Sequence, residues 1–294
     1  MRQGGVHNQS CKWEGFNIIK TEVGTMSFTP AQVGVQLYTL RDRFTTREEI
    51  VQTLSKVRDI GYQSVQFYRI PIDISEMRDI LQKLGLSVCG VDVPVARLEQ
   101  EFDQVLKEME LLDCRYITYS YGGDWSKGYL NGLEDYIKAI SSIGERLKST
   151  PFRFAYHNHS FEFVGYKGRA ALEYFYEQTE YAGILAELDT YWVQHGGGDP
   201  ADWISRYKGR VPIIHLKDLA IEQVEGKVTQ VFAEVGQGNM NWDSILQAAT
   251  DAEVEWLVVE QDFCAKDPFD SVKESYDFII TALSRLGQNA KGES

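Results

Sequence analysis

From residue 33 onward this chain repeats one unit. A β-branched or aromatic run is followed by a polar turn and then by an amphipathic stretch with apolar residues at helical spacing. The first run is VGVQLYTL (33–40). TREEIVQTLSKVRDIG comes next, in which Ile50, Leu54 and Val57 share a helical face and Gly61 stops the helix. Strand-like runs recur as SVQFYRI (64–70), LSVCGVDVP (86–94), CRYITYSYG (114–122), FRFAYHNHSFEF (152–163), AGILAELDTYWV, VPIIHLKDL (211–219) and EWLVVEQDF (255–263), each with a helical segment behind it. Such alternation predicts a parallel sheet with right-handed crossovers, and eight units are the number that closes an α/β (β/α)8 TIM barrel. An open doubly wound sheet would share the alternation, but no G-x-G-x-x-G follows the first strand. HGGGDP (195–200) has the wrong position for that fingerprint and reads as a flexible loop over the barrel mouth. The stretch IEQVEGKVTQVFAEVGQGNMNW (221–242) is long for a loop and β-like, which predicts a small hairpin inserted after strand seven, on the face where insertions serve function. The expected organisation is a tail over 1–31, a barrel domain over 32–288 with an insertion at 221–240, and a C-terminal tail over 289–294.

Charge narrows the partners. Acidic residues outnumber basic ones 43 to 30, for a net charge of −13, and no Lys/Arg-rich stretch could build a phosphate-binding groove. Nucleic acid is therefore not an expected partner, and a small neutral or metal-chelated molecule is. No run of apolar residues is long enough to span a membrane, and the first residues lack the apolar block of a signal peptide. Cys11, Cys89, Cys114 and Cys264 form no C-x-x-C pair, and Cys89 and Cys114 read as small buried apolar residues. This usage fits a reducing, cytoplasmic setting.

The chemistry gathers at strand ends. Strand five runs into His157, Asn158, His159 and, beyond them, Glu162; strand six ends near Asp189, strand seven at His215 and strand eight at Glu260. In a barrel of this type catalytic groups occupy the C-terminal ends of the strands. Side chains two apart share a face, so His157 falls with His159, Glu187 with Asp189, and Glu260 with Asp262. Each has a bland explanation: an Asp after a strand is commonly a helix cap, a lone His a hydrogen-bonded structural group, a lone Glu a solvated one. Their conjunction on four consecutive strands favours a mixed oxygen and nitrogen shell for one divalent metal ion (Mn, Mg, Co or Zn), which would offset the cost of burying such charges.

The motifs GVQLYTLRD, YHNHSFEF, LDTYWV, IIHLKD, EVGQGNMNW and VVEQD together resemble the xylose isomerase-like TIM barrels, over about residues 33 to 285. That group of sugar (phosphate) isomerases and epimerases includes tagatose/psicose 3-epimerases, inosose dehydratases and endonuclease IV. The resemblance implies one divalent ion held by Glu, Asp, His and Glu from strands five to eight. Asp189, His215 and Glu260 match three of these positions; at the first, the family's Glu falls on or beside His157, so the remaining ligand is Glu162 or His157. It also implies a homodimer or homotetramer.

A metal-dependent isomerase or epimerase acting on a keto-sugar or sugar derivative is the leading expectation. A base takes the proton next to the carbonyl while the developing enediolate is stabilised. Glu260 serves as one base, and Glu162, His157 or His159 as the opposite one. Lys217 either pairs with a carboxylate such as Asp218 or Asp262, or donates to a sugar oxygen, and Tyr38, Tyr191 and Trp192 are candidates for stacking on the sugar. A lyase or dehydratase acting on an inosose-like or 3-keto-glycoside substrate shares the first step. A non-catalytic sugar-binding barrel is the remaining alternative. An endonuclease-like metal cluster needs more histidines than the five here, of which His7 lies in the tail.

Overall fold

The computed structural model describes residues 28–121, 123, 126 and 128–292; the expected N-terminal tail up to residue 27, with His7 and Cys11, lies outside the described residues. Parallel strands β1 (Val33–Gln36), β2 (Ser64–Phe67), β3 (Ser87–Asp92), β4 (Tyr116–Tyr119), β5 (Arg153–His157), β6 (Leu185–Asp189), β7 (Ile213–Leu216) and β8 (Trp256–Val259) form a closed barrel, in which β1 pairs with both β2 and β8. This is the (β/α)8 TIM barrel. Helices wrap it: α1 (Arg47–Ile60), α2 (Ile74–Leu84), α3 (Val95–Gln100), α4 (Phe102–Leu111), α5 (Tyr129–Leu147), α6 (Ala171–Thr179), α7 (Thr190–His195), α8 (Pro200–Arg206), α9 (Trp242–Asp251) and α10 (Pro268–Gly292). Local sequence sets their ends. Thr46 and Glu49 close a reciprocal capping box on α1, and Asp73 caps α2, which ends in left-handed Gly85. The helical stretch after β3 divides at Glu101, whose φ of −126° and ψ of 29° leave the helix.

The strands are shorter than the apolar runs that contain them. The first run leaves the sheet after Gln36, whose side chain accepts from Tyr38 N at 3.4 Å, and Leu37–Arg43 forms 3-10 turns. Tyr38 therefore sits on a turn above the barrel. Of the residues after β5, Phe161–Phe163 form a second 3-10 turn.

Side-chain alternation builds the interior in layers. Cys89, Tyr116, Ile213, Trp256 and Val258, with Leu185 against them, make an apolar cluster separate from the larger core between strands and helices. Gly34 keeps this level narrow: a Cβ there would lie 2.8 Å from Ser64 Oγ and 3.2 Å from Cys89 Sγ. Two residues further along the same strands the side chains turn polar, as Glu187 follows Leu185, His215 follows Ile213 and Glu260 follows Val258. Strand register then aligns His157 with Glu187 and Asp189 with His215.

The insertion after β7 is an antiparallel hairpin, Asp218–Val224 paired with Lys227–Ala233, so it begins at Asp218 rather than at residue 221. Asp218 ties it down. Its Oδ2 accepts from Gly236 N at 2.9 Å, Gly238 N at 3.1 Å and Trp242 Nε1 at 2.6 Å, and its Oδ1 from Leu219 N at 2.7 Å. Gly238 is required there, since a Cβ would stand 2.3 Å from Asp218 Oδ1. HGGGDP is a packed turn between α7 and α8 instead of a flexible loop: Gly198 N donates to Val193 O at 2.9 Å, and a Cβ on Gly196 would meet the Phe163 ring at 2.4 Å. At the C-terminus α10 continues through 289–292, where a tail was expected. No helix among the described residues is long and apolar enough to cross a membrane.

Candidate active site

His157, Asp189, His215 and Glu260 each bring one ligand-type atom into a group whose members all lie within 4.8 Å of one another. Donors about 2.1 Å from a common ion stand about 3 to 4 Å apart, so small side-chain adjustments would let this group hold a divalent metal. Hydrogen bonding fits that role. A single oxygen, Glu187 Oε1, lies 3.1 Å from His157 Nδ1 and 3.1 Å from His215 Nε2. Gln66 Oε1 adds a second acceptor 2.9 Å from His215 Nε2. With those nitrogens committed as donors, His157 Nε2 and His215 Nδ1 are left for the ion, the first 3.8 Å from Asp189 Oδ2 and the second 2.8 Å from Glu260 Oε2. Asp189 divides its two oxygens: Oδ1 caps α7 by accepting from Trp192 N at 3.0 Å, and Oδ2 accepts no aligned hydrogen bond among the described residues. The cap and the candidate ligand are the same carboxylate.

Lys217 completes the cluster. Its ammonium is 1% exposed and lies 2.9 Å from Asp189 Oδ2, 2.8 Å from Glu260 Oε2 and 3.0 Å from Asp262 Oδ1. Burial opposes its charge, but Asp189, Glu260 and Asp262 outweigh burial and hold its pKa well above the ordinary lysine value. His215 behaves alike: burial disfavours the imidazolium, while Glu187 and Glu260 on either side hold its pKa well up. The partners move oppositely. Burial would raise both carboxylates, yet Lys217 and His215 keep Glu260 well below the usual range, and His215 and His157 bring Glu187 down to about 2.

The other expected residues take different places. Glu162 lies outside the donor group: it is fully buried, with Oε1 accepting from Tyr156 Oη at 2.7 Å and Oε2 from His159 N at 2.9 Å. The 3-10 turn after β5 folds its side chain back under the loop, so between Glu162 and His157 it is His157 that stands with Asp189, His215 and Glu260. Burial pushes the Glu162 carboxyl up to about 8. His159 borders the cavity with its ring 5.0 Å from that of His157, and burial, then the neighbouring His157, pushes its pKa down to about 2. Tyr191 is buried and stacked on Phe232 of the hairpin at 4.3 Å. Trp192 touches the site only from behind, 5.5 Å from Lys217 Nζ and 5.4 Å from the His159 ring. Asp218 does not pair with Lys217; it anchors the hairpin.

Above the cluster opens a cavity of about 210 Å³. One side carries His157, His159, His215, Lys217, Glu260 and Asp262; the other carries Gln36, Tyr38, Tyr68, Asp92, Tyr119 and Ser120, from the first half of the barrel. Tyr38 and Tyr68 meet edge to face at 5.5 Å. Sequence reasoning missed Gln66 and Asp92. Gln66 Nε2 donates to Glu187 Oε2 at 2.9 Å and Thr118 Oγ1 at 3.1 Å, which links the orienting carboxylate to the opposite wall. Burial, then the charge on Glu187, lifts the Asp92 carboxyl to about 7. Both are polar residues within apolar strand runs, a visible sign of an inward polar group though not of the partner that it meets across the barrel.

Residues 54–282 match the family of xylose isomerase-like TIM barrels. Inosose dehydratase of Mesomycoplasma hyopneumoniae is 22% identical over 267 residues, covering 79% of this chain and 88% of that protein. Among solved structures, a sugar phosphate isomerase/epimerase of Parabacteroides distasonis superimposes with a TM-score of 0.66 at 20% identity, covering 88% of this chain and 96% of that one. An L-ribulose 3-epimerase does so with 0.68 at 16% identity, covering 90% and 98%. At such identities the structural likenesses establish the fold alone, whereas the match across most of the barrel, from α1 into α10, establishes the family: this chain belongs to the xylose isomerase-like TIM barrels.

Proposed function

We propose that the chain is a divalent-metal-dependent enzyme that removes a proton next to a carbonyl of a small sugar or sugar derivative, with isomerisation or epimerisation as the outcome. The observation that carries this is the convergence of His157, Asp189, His215 and Glu260 beside a cavity of sugar size that also presents Lys217. A bound divalent ion would act as a Lewis acid toward the substrate carbonyl. The chain supplies the rest. Glu260, the carboxylate at the end of β8 that borders the cavity, is the base that takes the proton. The Lys217 ammonium donates to the substrate oxygen on which negative charge develops. Tyr38 and Tyr68 line the opposite side of the cavity, where they would lie against the sugar. His159, held neutral, accepts or donates a hydrogen bond to a sugar hydroxyl through Nδ1, which is buried and has no hydrogen-bond partner among the described residues.

A second reading, elimination by a lyase or dehydratase, draws support from one feature of the site. The donor from β5 is an imidazole, so the cluster offers Glu260 as a base without a second carboxylate from β5 facing it. The similarity to inosose dehydratases points the same way. One experiment tests both. The Mn²⁺-loaded protein is incubated in D2O with D-allulose, L-ribulose and a keto-inositol and followed by NMR. Solvent deuterium next to the carbonyl, lost at least a hundredfold in Glu260→Gln, supports the shared step. A saturated epimer or isomer identifies the first outcome and an unsaturated product the second. Exchange that is undiminished in Glu260→Gln would remove Glu260 from the role of base.

A further inference from the structure

Lys217 contacts the two carboxylates that the candidate metal needs. Its Nζ bridges Asp189 Oδ2 at 2.9 Å and Glu260 Oε2 at 2.8 Å, and these belong to two of the four donor residues. A divalent ion bound to both carboxylates and an ammonium wedged between the same oxygens would place two cations almost in contact, with little water to screen them, since Lys217 is 1% exposed and Asp189 fully buried. A third contact offers a way out. Asp262 Oδ1 lies 3.0 Å from the same Nζ, belongs to the β8 end beyond the donor group, and is 26% exposed, on the solvent side of the cluster. The Trp192 ring, with its centroid 5.5 Å from Nζ, gives the ammonium an aromatic face to lie against.

We propose that Lys217 is an internal cation that competes with the metal ion for Asp189 and Glu260 and retreats toward Asp262 when the ion binds, so that this lysine sets the metal affinity of the site. The inference rests on the metal-dependent reading above. It makes the affinity of the site weaker than its donor set alone would give, and it makes the lysine and the ion alternative fillings of one place.

The test is calorimetric titration of the chelator-treated full chain with Mn²⁺, together with thermal unfolding followed by circular dichroism. Lys217→Met should bind Mn²⁺ at least tenfold more tightly than the wild type, and should keep most of that gain in 0.5 M NaCl, where a remote charge would be screened. Its chelator-treated form should unfold at a lower temperature than the wild type, and Mn²⁺ should raise its unfolding temperature by the larger increment. Asp262→Asn, which removes the carboxylate that would receive the lysine and with it one negative charge beside the site, should bind Mn²⁺ at least threefold more weakly, and should keep that deficit in 0.5 M NaCl. Mn²⁺ affinity unchanged or weakened in a folded Lys217→Met, or unchanged in Asp262→Asn, overturns the competition while leaving the metal reading intact. Absence of Mn²⁺ binding in all three chains overturns both. Should Lys217→Met fail to fold, Lys217→Gln and Asp262→Asn carry the same comparison.

Discussion

Replacing Glu187 by Gln changes one oxygen into an NH2 group and nothing in size, yet the surroundings leave that group no acceptable orientation. Glu187 Oε1 receives His157 Nδ1 and His215 Nε2, both at 3.1 Å, and Oε2 receives Gln66 Nε2 at 2.9 Å. If the new amide keeps its carbonyl toward the imidazoles, its NH2 faces the NH2 of Gln66. Turned over, it faces two ring N–H groups. Rotating Gln66 as well moves the conflict to His215 Nε2, whose partner at 2.9 Å is Gln66 Oε1. With His157 Nδ1 and His215 Nε2 both kept as donors, every arrangement buries at least one donor without an acceptor, at about 1–3 kcal/mol. The lost charge adds to this, because an imidazolium at His215 then has Glu260 alone; breaking a buried charge pair from one side costs about 3–5 kcal/mol. We expect the chelator-treated variant to lose about 3 kcal/mol of stability in urea unfolding monitored by fluorescence. Its Mn²⁺ affinity should fall by about ten- to a hundredfold, as for other groups that hold a ligating histidine in place. Glu187→Asp, which keeps the charge but shortens the reach, should recover part of the stability and little of the affinity. If Glu187→Gln binds Mn²⁺ within twofold of the wild type, the view that this carboxylate aims both imidazoles is wrong.

Three further predictions come from other parts of the structure. Asp218→Asn should cost about 3 kcal/mol in urea unfolding, because the new amide cannot accept all four hydrogen bonds now made to the carboxylate. Limited proteolysis should then cut first in 221–240. Gly238→Ala should mimic this loss, because its methyl group would press on Asp218 Oδ1; an unchanged unfolding midpoint would show that the hairpin base yields freely. The stability of the chelator-treated protein should pass through a maximum on the acid side of neutrality. Glu187, held near 2 in the fold against about 4.3 unfolded, contributes stability present above about pH 4.3 and lost as pH falls toward 2. His215, raised when folded, contributes stability present below about pH 6.5 and lost as pH climbs through its folded value. Glu162, ionising near 8 in the fold, adds to the decline between about pH 4.3 and 8. Urea midpoints from pH 4 to 9 check this, and Glu162→Gln should flatten the alkaline limb.

What could be read in advance was set by periodicity. Alternating apolar runs and amphipathic helices determine a closed parallel barrel almost alone, because few other arrangements bury that many two-sided strands. Period two along a strand also settles which residues share a face, and so Glu187 could be placed beneath Asp189 without coordinates. Where the chain leaves the sheet is a different matter. Tyr38 and Glu162 both lie past the last paired residue of their strands, and 3-10 turns re-aim them: Tyr38 to the cavity, Glu162 into the protein. No periodic rule extends into such turns. A hydrogen bond from the His159 amide and another from the Tyr156 hydroxyl decide where Glu162 points, and neither is legible from spacing. Gln66 was missed for another reason. Its importance comes from β2 lying across the barrel from β6, a contact between residues 121 positions apart that exists only once the barrel closes.

Asp189 shows how a structural role and the proposed metal-binding one are compatible. A carboxylate at a strand-to-helix junction is expected to cap the helix, and Asp189 does so through Oδ1. The cap fixes the side chain, since Asp has only two rotatable bonds and one oxygen is already held by Trp192 N at 3.0 Å. Fixing one oxygen aims the other, and Oδ2 is the atom that meets Lys217 and lies nearest His157 Nε2. Capping is thus what makes the second oxygen available at a defined point. The same economy governs Glu187, where two hydrogen bonds that read as structural orient two imidazoles. In this barrel a residue's having a structural partner is therefore no argument against its having a chemical one. The useful question for each strand-end group is which of its polar atoms remains after the structural bonds are counted; for Asp189, His157 and His215 the remaining atoms converge on one place.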